Sequence, residues 1–190
     1  TPGTGTSPYG RWATNGGAAT GMTLTQLAGS ISGGTYGINA TNNGSGDLTI
    51  NQTAGTITGS SSAGINVENA GTAAFSITTA GVISGGRQGS VAYNDSSATD
   101  LTVTQAATGR ITGSAYALYA ANNGTGATSI TTAGTVTGAK GGHGYGIDVQ
   151  GASTTTRLTV DQESGAISGG TYGILAGNAG RGATSITTAG

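Results

Sequence analysis

The 190-residue sequence contains no cysteine, which excludes disulfide bridges and thiolate chemistry while leaving the compartment open. Proline occurs only at positions 2 and 8, and charge is almost as scarce. Six Lys and Arg stand against seven Asp and Glu, together 7% of the chain. No basic surface exists to neutralise a phosphate backbone, so nucleic acid is not expected as a partner. Disorder usually goes with high net charge and abundant proline, and both are lacking. No apolar run of about 18 residues is present to cross a membrane as a helix. No basic-then-apolar leader opens the sequence, so any export signal is expected to have been removed.

What is abundant is glycine, 39 residues, roughly three times its usual share of about 7%. That excludes ordinary helical folds and makes internal repetition the first thing to seek. One aliphatic column stands at Leu24, Ile50, Ile77, Val103, Ile130, Val160 and Ile186, at intervals of 26, 27, 26, 27, 30 and 26 residues. A second follows a Gly-x-[Ile/Val]-[Ser/Thr]-Gly pattern and holds Ile31, Ile57, Ile83, Ile111, Val136 and Ile167. A third is read at Ile38, Ile65, Val91, Leu118, Ile147 and Ile174. Thr, Ser or Asn alternates with the aliphatic centres, as in Leu48-Thr49-Ile50-Asn51. Such alternation predicts strands.

Three strands per unit, with Gly or Asn at the junctions, predict an all-β chain that coils so that each strand lies beside its counterpart in the next unit. The expected fold is a right-handed parallel β-helix, or β-solenoid, the hand following from the crossover rule. It has three short strands per coil, about 27 residues per coil and roughly seven coils. At the usual strand spacing the rod is about 35 Å long. Residues 1–8 are expected to form an N-terminal tail or linker, and 9–190 a single solenoid domain. First strands alternate between two forms, Ser76-Ile77-Thr78-Thr79-Ala80-Gly81 and Leu48-Thr49-Ile50-Asn51-Gln52, which suggests a duplicated unit of two coils.

Asn42, Asn69, Asn122 and Asn178 fall four places after the third column, and Asn94 three after. They predict a structural turn ladder of stacked side chains hydrogen-bonded along the rod. Two places before that column stand Tyr36, Tyr116, Tyr145 and Tyr172, with Ala63 and Gly89 as exceptions; corner packing is the expected role rather than a ligand platform. Tyr9 to Asn15 aligns with Tyr36 to Asn42, with Arg11 in place of the core aliphatic. The sequence stops at Gly190 just after another first strand, with no polar cap, so the chain is expected to be a piece of a longer solenoid.

Little points to catalysis. The outward position after the third column reads Asn39, Asn66, Ala92, Tyr119, Asp148 and Leu175. Asp148, Asp161 and Glu163 lie in adjacent strand regions on different faces and are expected to be solvated charges rather than a convergent acid–base group. His143 is the only histidine and is expected to be a loop residue. The Gly141–Asp148 segment is similar to the calcium-binding nonapeptide pattern, but its Asp falls two positions late and no other coil repeats it, so calcium at Asp148 is not expected. The oxygen-rich loop Asn94–Asp100 is equally weak as a cation site. No catalytic residue, metal or cofactor is expected.

The most regular surface feature is a pair of outward columns on the first strand. One reads Thr23, Thr49, Ser76, Thr102, Ser129, Thr159 and Ser185; the other Thr25, Asn51, Thr78, Thr104, Thr131, Asp161 and Thr187. The candidate binding face they supply is Thr23, Thr25, Thr49, Asn51, Ser76, Thr78, Thr102, Thr104, Ser129, Thr131, Thr159 and Thr187. They are similar to the Thr-x-Thr arrays of ice-binding solenoids, although Ser, Asn51 and Asp161 interrupt the pattern; a merely solvated strand face is the plainer reading.

Repeated units such as Gly29-Ser30-Ile31-Ser32-Gly33-Gly34-Thr35-Tyr36-Gly37-Ile38 and Gly126 to Gly134 resemble the passenger regions of autotransporter proteins of Gram-negative bacteria, from Tyr9 to Gly190. The resemblance implies an extracellular or cell-surface rod, a signal peptide ahead of it, and a C-terminal β-barrel of the same protein in the outer membrane. It also implies adhesion to host surface or matrix molecules, or self-association, as the expected function. An inert stalk that presents another domain is the alternative, and ice binding a further one.

Overall fold

A computed structural model describes residues 7–139 and 144–189. Those residues form twenty strands, β1–β20 in chain order, and no helix. Three sheets run the length of the solenoid. Sheet I holds β1 (Tyr9–Thr14), β4 (Tyr36–Asn42), β7 (Ala63–Asn69), β10 (Gln88–Asn94), β13 (Tyr116–Asn122), β16 (Tyr145–Gly151) and β19 (Tyr172–Asn178). Sheet II holds β2 (Met22–Gln26), β5 (Leu48–Gln52), β8 (Phe75–Thr79), β11 (Leu101–Gln105), β14 (Ala127–Thr132), β17 (Arg157–Gln162) and β20 (Thr184–Thr188). Sheet III holds β3 (Ser30–Gly33), β6 (Thr56–Gly59), β9 (Val82–Gly85), β12 (Arg110–Gly113), β15 (Thr135–Gly138) and β18 (Ala166–Ser168). Every pairing is parallel and joins a strand to its counterpart one coil away, as in Ile50↔Ile77 and Ile57↔Ile83.

The chain is therefore a parallel β-solenoid of about seven coils. The carbonyls of Ser7 and Pro8 already accept hydrogen bonds from Gly34, Thr35 and Tyr36, so these two residues belong to the first coil. Ile50, Ile77, Val103, Ile130 and Val160 form one dry interior ladder, and Ile57, Ile83, Ile111 and Val136 another, all at most 1% exposed. Each such side chain contributes about 1.5–3 kcal/mol by leaving water. At the two ends of the described chain the ladders open to solvent, where Ile186 is 48% exposed.

One interior assignment differs from the sequence pattern. Ser90, not Val91, takes the third column, paired with Ile65 and Leu118; Val91 pairs with Asn66 and Tyr119 on the outside. The period of two decides this, because Ala92 and Asn94 point inward on the same strand and Ser90 must follow them. The same one-residue correction puts Gln88 rather than Gly89 in the tyrosine column, and Val91 rather than Ala92 in the outward column. Ser90 is fully buried, and among the described residues its hydroxyl has no partner.

The alternation of first strands has a steric cause. Coils whose sheet II strand ends in Gln carry a longer corner: Ile50 to Ile57 spans seven residues, whereas Ile77 to Ile83, after Thr79, spans six. In three of the long corners a glycine adopts positive φ, at Gly29 (77°), Gly55 (86°) and Gly165 (73°). The buried Gln amide closes the extra length: Gln52 Nε2 donates to the Gly55 carbonyl at 3.2 Å and to the Val82 carbonyl of the next coil at 3.3 Å. Gln26 repeats the arrangement with Gly29 and Thr56. From Gln52 onward Gln alternates with Thr, which gives each a small neighbour, and the Thr79 hydroxyl donates to Gln52 Oε1; Gln26 instead meets Gln52, whose Nε2 donates to its Oε1 at 3.0 Å.

The opposite corner contains the asparagine ladder. Asn15 Nδ2 donates to Asn42 Oδ1 at 2.6 Å, Asn42 to Asn69 at 2.8 Å, Asn69 to Asn94 at 3.2 Å and Asn94 to Asn122 at 3.4 Å. Each interior rung also binds its own turn, as Asn69 does through Ala73 O and Gly71 N. The ladder breaks before Asn178, because Gly151 occupies the next position. This coil has the 30-residue interval, and its extra residues bring Thr155 inside, 1% exposed, where its hydroxyl donates to Asn122 O.

Two stability measurements follow from these interiors. Ser90→Val removes an unsatisfied hydroxyl and restores the aliphatic ladder, so urea denaturation is expected to show a gain of about 1–2 kcal/mol. Asn69→Ala removes four hydrogen bonds in a buried corner and is expected to cost about 3 kcal/mol, against about 1 kcal/mol for the half-buried, ladder-free Asn178→Ala. Equal losses at the two sites would refute an energetic role for the ladder.

Candidate binding faces

The predicted columns on sheet II are in register over all seven strands: Thr23, Thr49, Ser76, Thr102, Ser129, Thr159 and Ser185 in one, Thr25, Asn51, Thr78, Thr104, Thr131, Asp161 and Thr187 in the other. None of these side chains is buried. They alternate with the interior ladder because successive strand residues face opposite sides. Among the described residues a single side-chain hydrogen bond links rungs of these columns, Ser76 Oγ to Thr49 Oγ1 at 3.4 Å. The hydroxyls thus keep most of their hydrogen-bonding capacity for water or a ligand.

Sheet III carries a second hydroxyl column that the sequence reading did not single out: Ser32, Thr58, Ser84, Thr112, Thr137 and Ser168, paired in that order. Its signal was present in the Ser or Thr that follows every aliphatic residue of the second repeat pattern. Within it Thr112 Oγ1 donates to Ser84 Oγ at 3.2 Å.

Sheet I presents a different surface. The tyrosines stack on one another along the rod: Tyr9 on Tyr36 at 5.9 Å and 4°, Tyr116 on Tyr145 at 5.1 Å and 15°, and Tyr145 on Tyr172 at 5.7 Å and 27°. Ala63 and Gln88 interrupt the stack. Tyr119, in the adjacent outward column, lies 5.6 Å from Tyr116 with its ring tilted by 57°. Next to it in that column comes Asp148, followed by Leu175.

Asp148 is not a solvated charge. It is 7% exposed, covered from both sides of its column, and its Oδ1 accepts one hydrogen bond, from Gln150 Nε2 at 2.6 Å. Loss of water raises its pKa above the usual carboxylate value, and the Gln150 bond offsets this only in part. Tyr119 is raised as well, first by desolvation and then by the Asp148 charge, with smaller effects from Tyr116 and Tyr93. Asp161 faces outward from sheet II and Glu163 follows β17, so the three carboxylates do not converge. Among the described residues no three His, Cys, Asp or Glu come together as a metal site. In the Asn94–Asp100 loop, Asn94 belongs to the ladder, and Asp95 and Asp100 accept backbone bonds from Ser96 and Ala127. His143 lies outside the described residues.

The raised pKa has a defined consequence for stability. A carboxyl group that holds its proton more tightly when folded disfavours the folded state once ionised. That penalty is absent below about pH 3.9, the unfolded value, and grows as pH rises through the folded pKa. Asp148→Asn, which keeps the side-chain oxygen and removes the charge, is therefore expected to raise Tm at pH 7, with the gain vanishing as pH falls below the unfolded value. A Tm difference independent of pH would contradict the desolvation assignment.

The chain matches no family model, no curated protein and no solved structure.

Proposed function

We propose that this solenoid is a rod segment of a bacterial surface protein, of the autotransporter passenger type, acting in adhesion or self-association through its polar repeat faces. The observation that carries the reading is the in-register continuity of the hydroxyl columns: seven rungs on sheet II and six on sheet III present the same hydrogen-bonding group at each coil. With parallel strands about 4.8 Å apart, such columns make many weak contacts whose sum is large when both partners repeat. Scarce charge, a formal net of −1, limits repulsion between neighbouring rods. Host surface or matrix molecules, or a second rod, are the proposed partners, and the cell surface the proposed location. The same columns also suit an ice-binding lattice, where the Ser rungs lack the methyl group that the Thr rungs supply.

The test is display of residues 1–190 on a non-adhesive bacterium beside an inert domain of equal length. Clumping or attachment that persists as salt is raised is expected, because hydroxyl contacts carry no charge for salt to screen. No gain over the inert display would reduce the segment to a stalk, and a steep loss with salt would point to a charge-driven partner. Thermal hysteresis or recrystallisation inhibition by the purified chain would transfer the assignment to ice binding.

A further inference from the structure

We propose that the outward face of sheet I around Asp148 binds an organic cation, best matched by the guanidinium group of an arginine side chain on a partner polypeptide. This site is separate from the hydroxyl faces of sheets II and III, so the proposal does not depend on adhesion through them.

The first ground is charge complementarity. Asp148 is a carboxylate with 7% exposure, and among the described residues no cationic side chain stands near it in the sheet: β10, β13, β16 and β19 contain no Lys, Arg or His. Its single hydrogen bond engages Oδ1, and Oδ2 accepts none from any described residue. A buried carboxylate normally has an opposite charge or several donors around it. Here the strand geometry offers neither, and an incoming cation would supply both.

The second ground is the chemistry of the surroundings. Tyr119 sits beside Asp148 in its column, and Tyr116 and Tyr145 border it in the tyrosine column. Tyrosine rings attract cations through the negative potential of their faces. The Tyr116 and Tyr145 faces are largely used on each other, so the tilted Tyr119 ring is the one available to a ligand. Gln150 places a second acceptor near the carboxylate: its Oε1 lies over Gly177, which has no side chain to cover it. A carboxylate oxygen and an amide oxygen two residues apart on one strand suit the forked donors of a guanidinium. Its flat, weakly hydrated cation also stacks on an aromatic ring and loses less on leaving water than a primary ammonium. A neutral sugar would use the same acceptors without relieving the buried charge.

The experiment is a titration of the 190-residue chain with Nα-acetyl-arginine amide, followed by NMR of the backbone amides of β13, β16 and β19. Binding at millimolar concentration, about 4 kcal/mol, is expected to shift resonances around Tyr119, Asp148 and Gln150. Asp148→Asn is expected to weaken it at least tenfold. Tyr119→Leu is expected to weaken it several-fold, and unchanged hydrogen-exchange protection in both variants shows that the coils are intact. Acidification is expected to abolish binding as Asp148 takes up its proton. The other ionisable side chains on the strands packed against Asp148 are Tyr93, Tyr116, Tyr119, Tyr145 and Tyr172, none of them a carboxylate or an amine. Absent shifts, or equal affinity in Asp148→Asn, would overturn the proposal. Tighter binding of Nα-acetyl-lysine amide would overturn the guanidinium assignment. Equal perturbation by neutral oligosaccharides that survives Asp148→Asn would replace the cation with a glycan.

Discussion

In a parallel in-register solenoid the nearest neighbour of a side chain along the rod is its own counterpart in the adjacent coil. Every residue type is therefore tested against what stands about 4.8 Å above and below it. Aliphatic residues pass because they pack on themselves. Asn passes because its amide is both donor and acceptor, so Asn42, Asn69 and Asn94 satisfy one another in a chain. Tyr passes by stacking, and Thr and Ser by sharing hydroxyl contacts or leaving them to water. Like charges fail: at that spacing two of them repel by roughly 1 kcal/mol even in water, and by several in a less polar setting. The scarcity of charge follows from this constraint, and so does its distribution. Glu68 lies between Thr41 and Tyr93, Arg110 between Val82 and Thr135, and Asp161 between Thr131 and Thr187. Each charge is isolated in its column.

The same constraint explains why so much of the architecture is readable from the sequence. Columns can be found by spacing alone, and the strands, the three sheets and the coil number follow from them. Residue type misleads where it conflicts with spacing. Val91 looks like the core residue of its coil, yet Asn94 stands four places after Ser90 and only three after Val91. The odd offset was the signal. In the 30-residue coil the column simply ends at Gly151, and Thr155 enters from an insertion to take over the corner. That replacement depends on the path of the loop, which spacing does not encode.

Burial of outward residues was also not legible. Exposure there depends on lateral cover, which varies from rung to rung with the size of the neighbours. Asp148 and Asp161 occupy equivalent outward positions of sheets I and II, yet only the first is buried, because Tyr119 and Leu175 flank it where Asp161 has two threonines. Column identity gives the direction of a side chain. Its environment requires the neighbouring columns in three dimensions.

This contrast separates the two kinds of surface on the rod. The hydroxyl columns satisfy the stacking rule at each coil and impose no evident strain, so they are explained by the fold before any ligand is considered. Asp148 is different. Its column tolerates Asn, Val, Tyr and Leu in other coils, all of which avoid a desolvated charge, and the Gln150 bond would be accepted as well by an amide oxygen. Nothing in the packing requires a carboxylate there, and the carboxylate opposes folding when ionised. A group that the architecture neither needs nor favours is where a binding partner supplies the missing free energy, by contributing the positive charge that the strands around Asp148 lack.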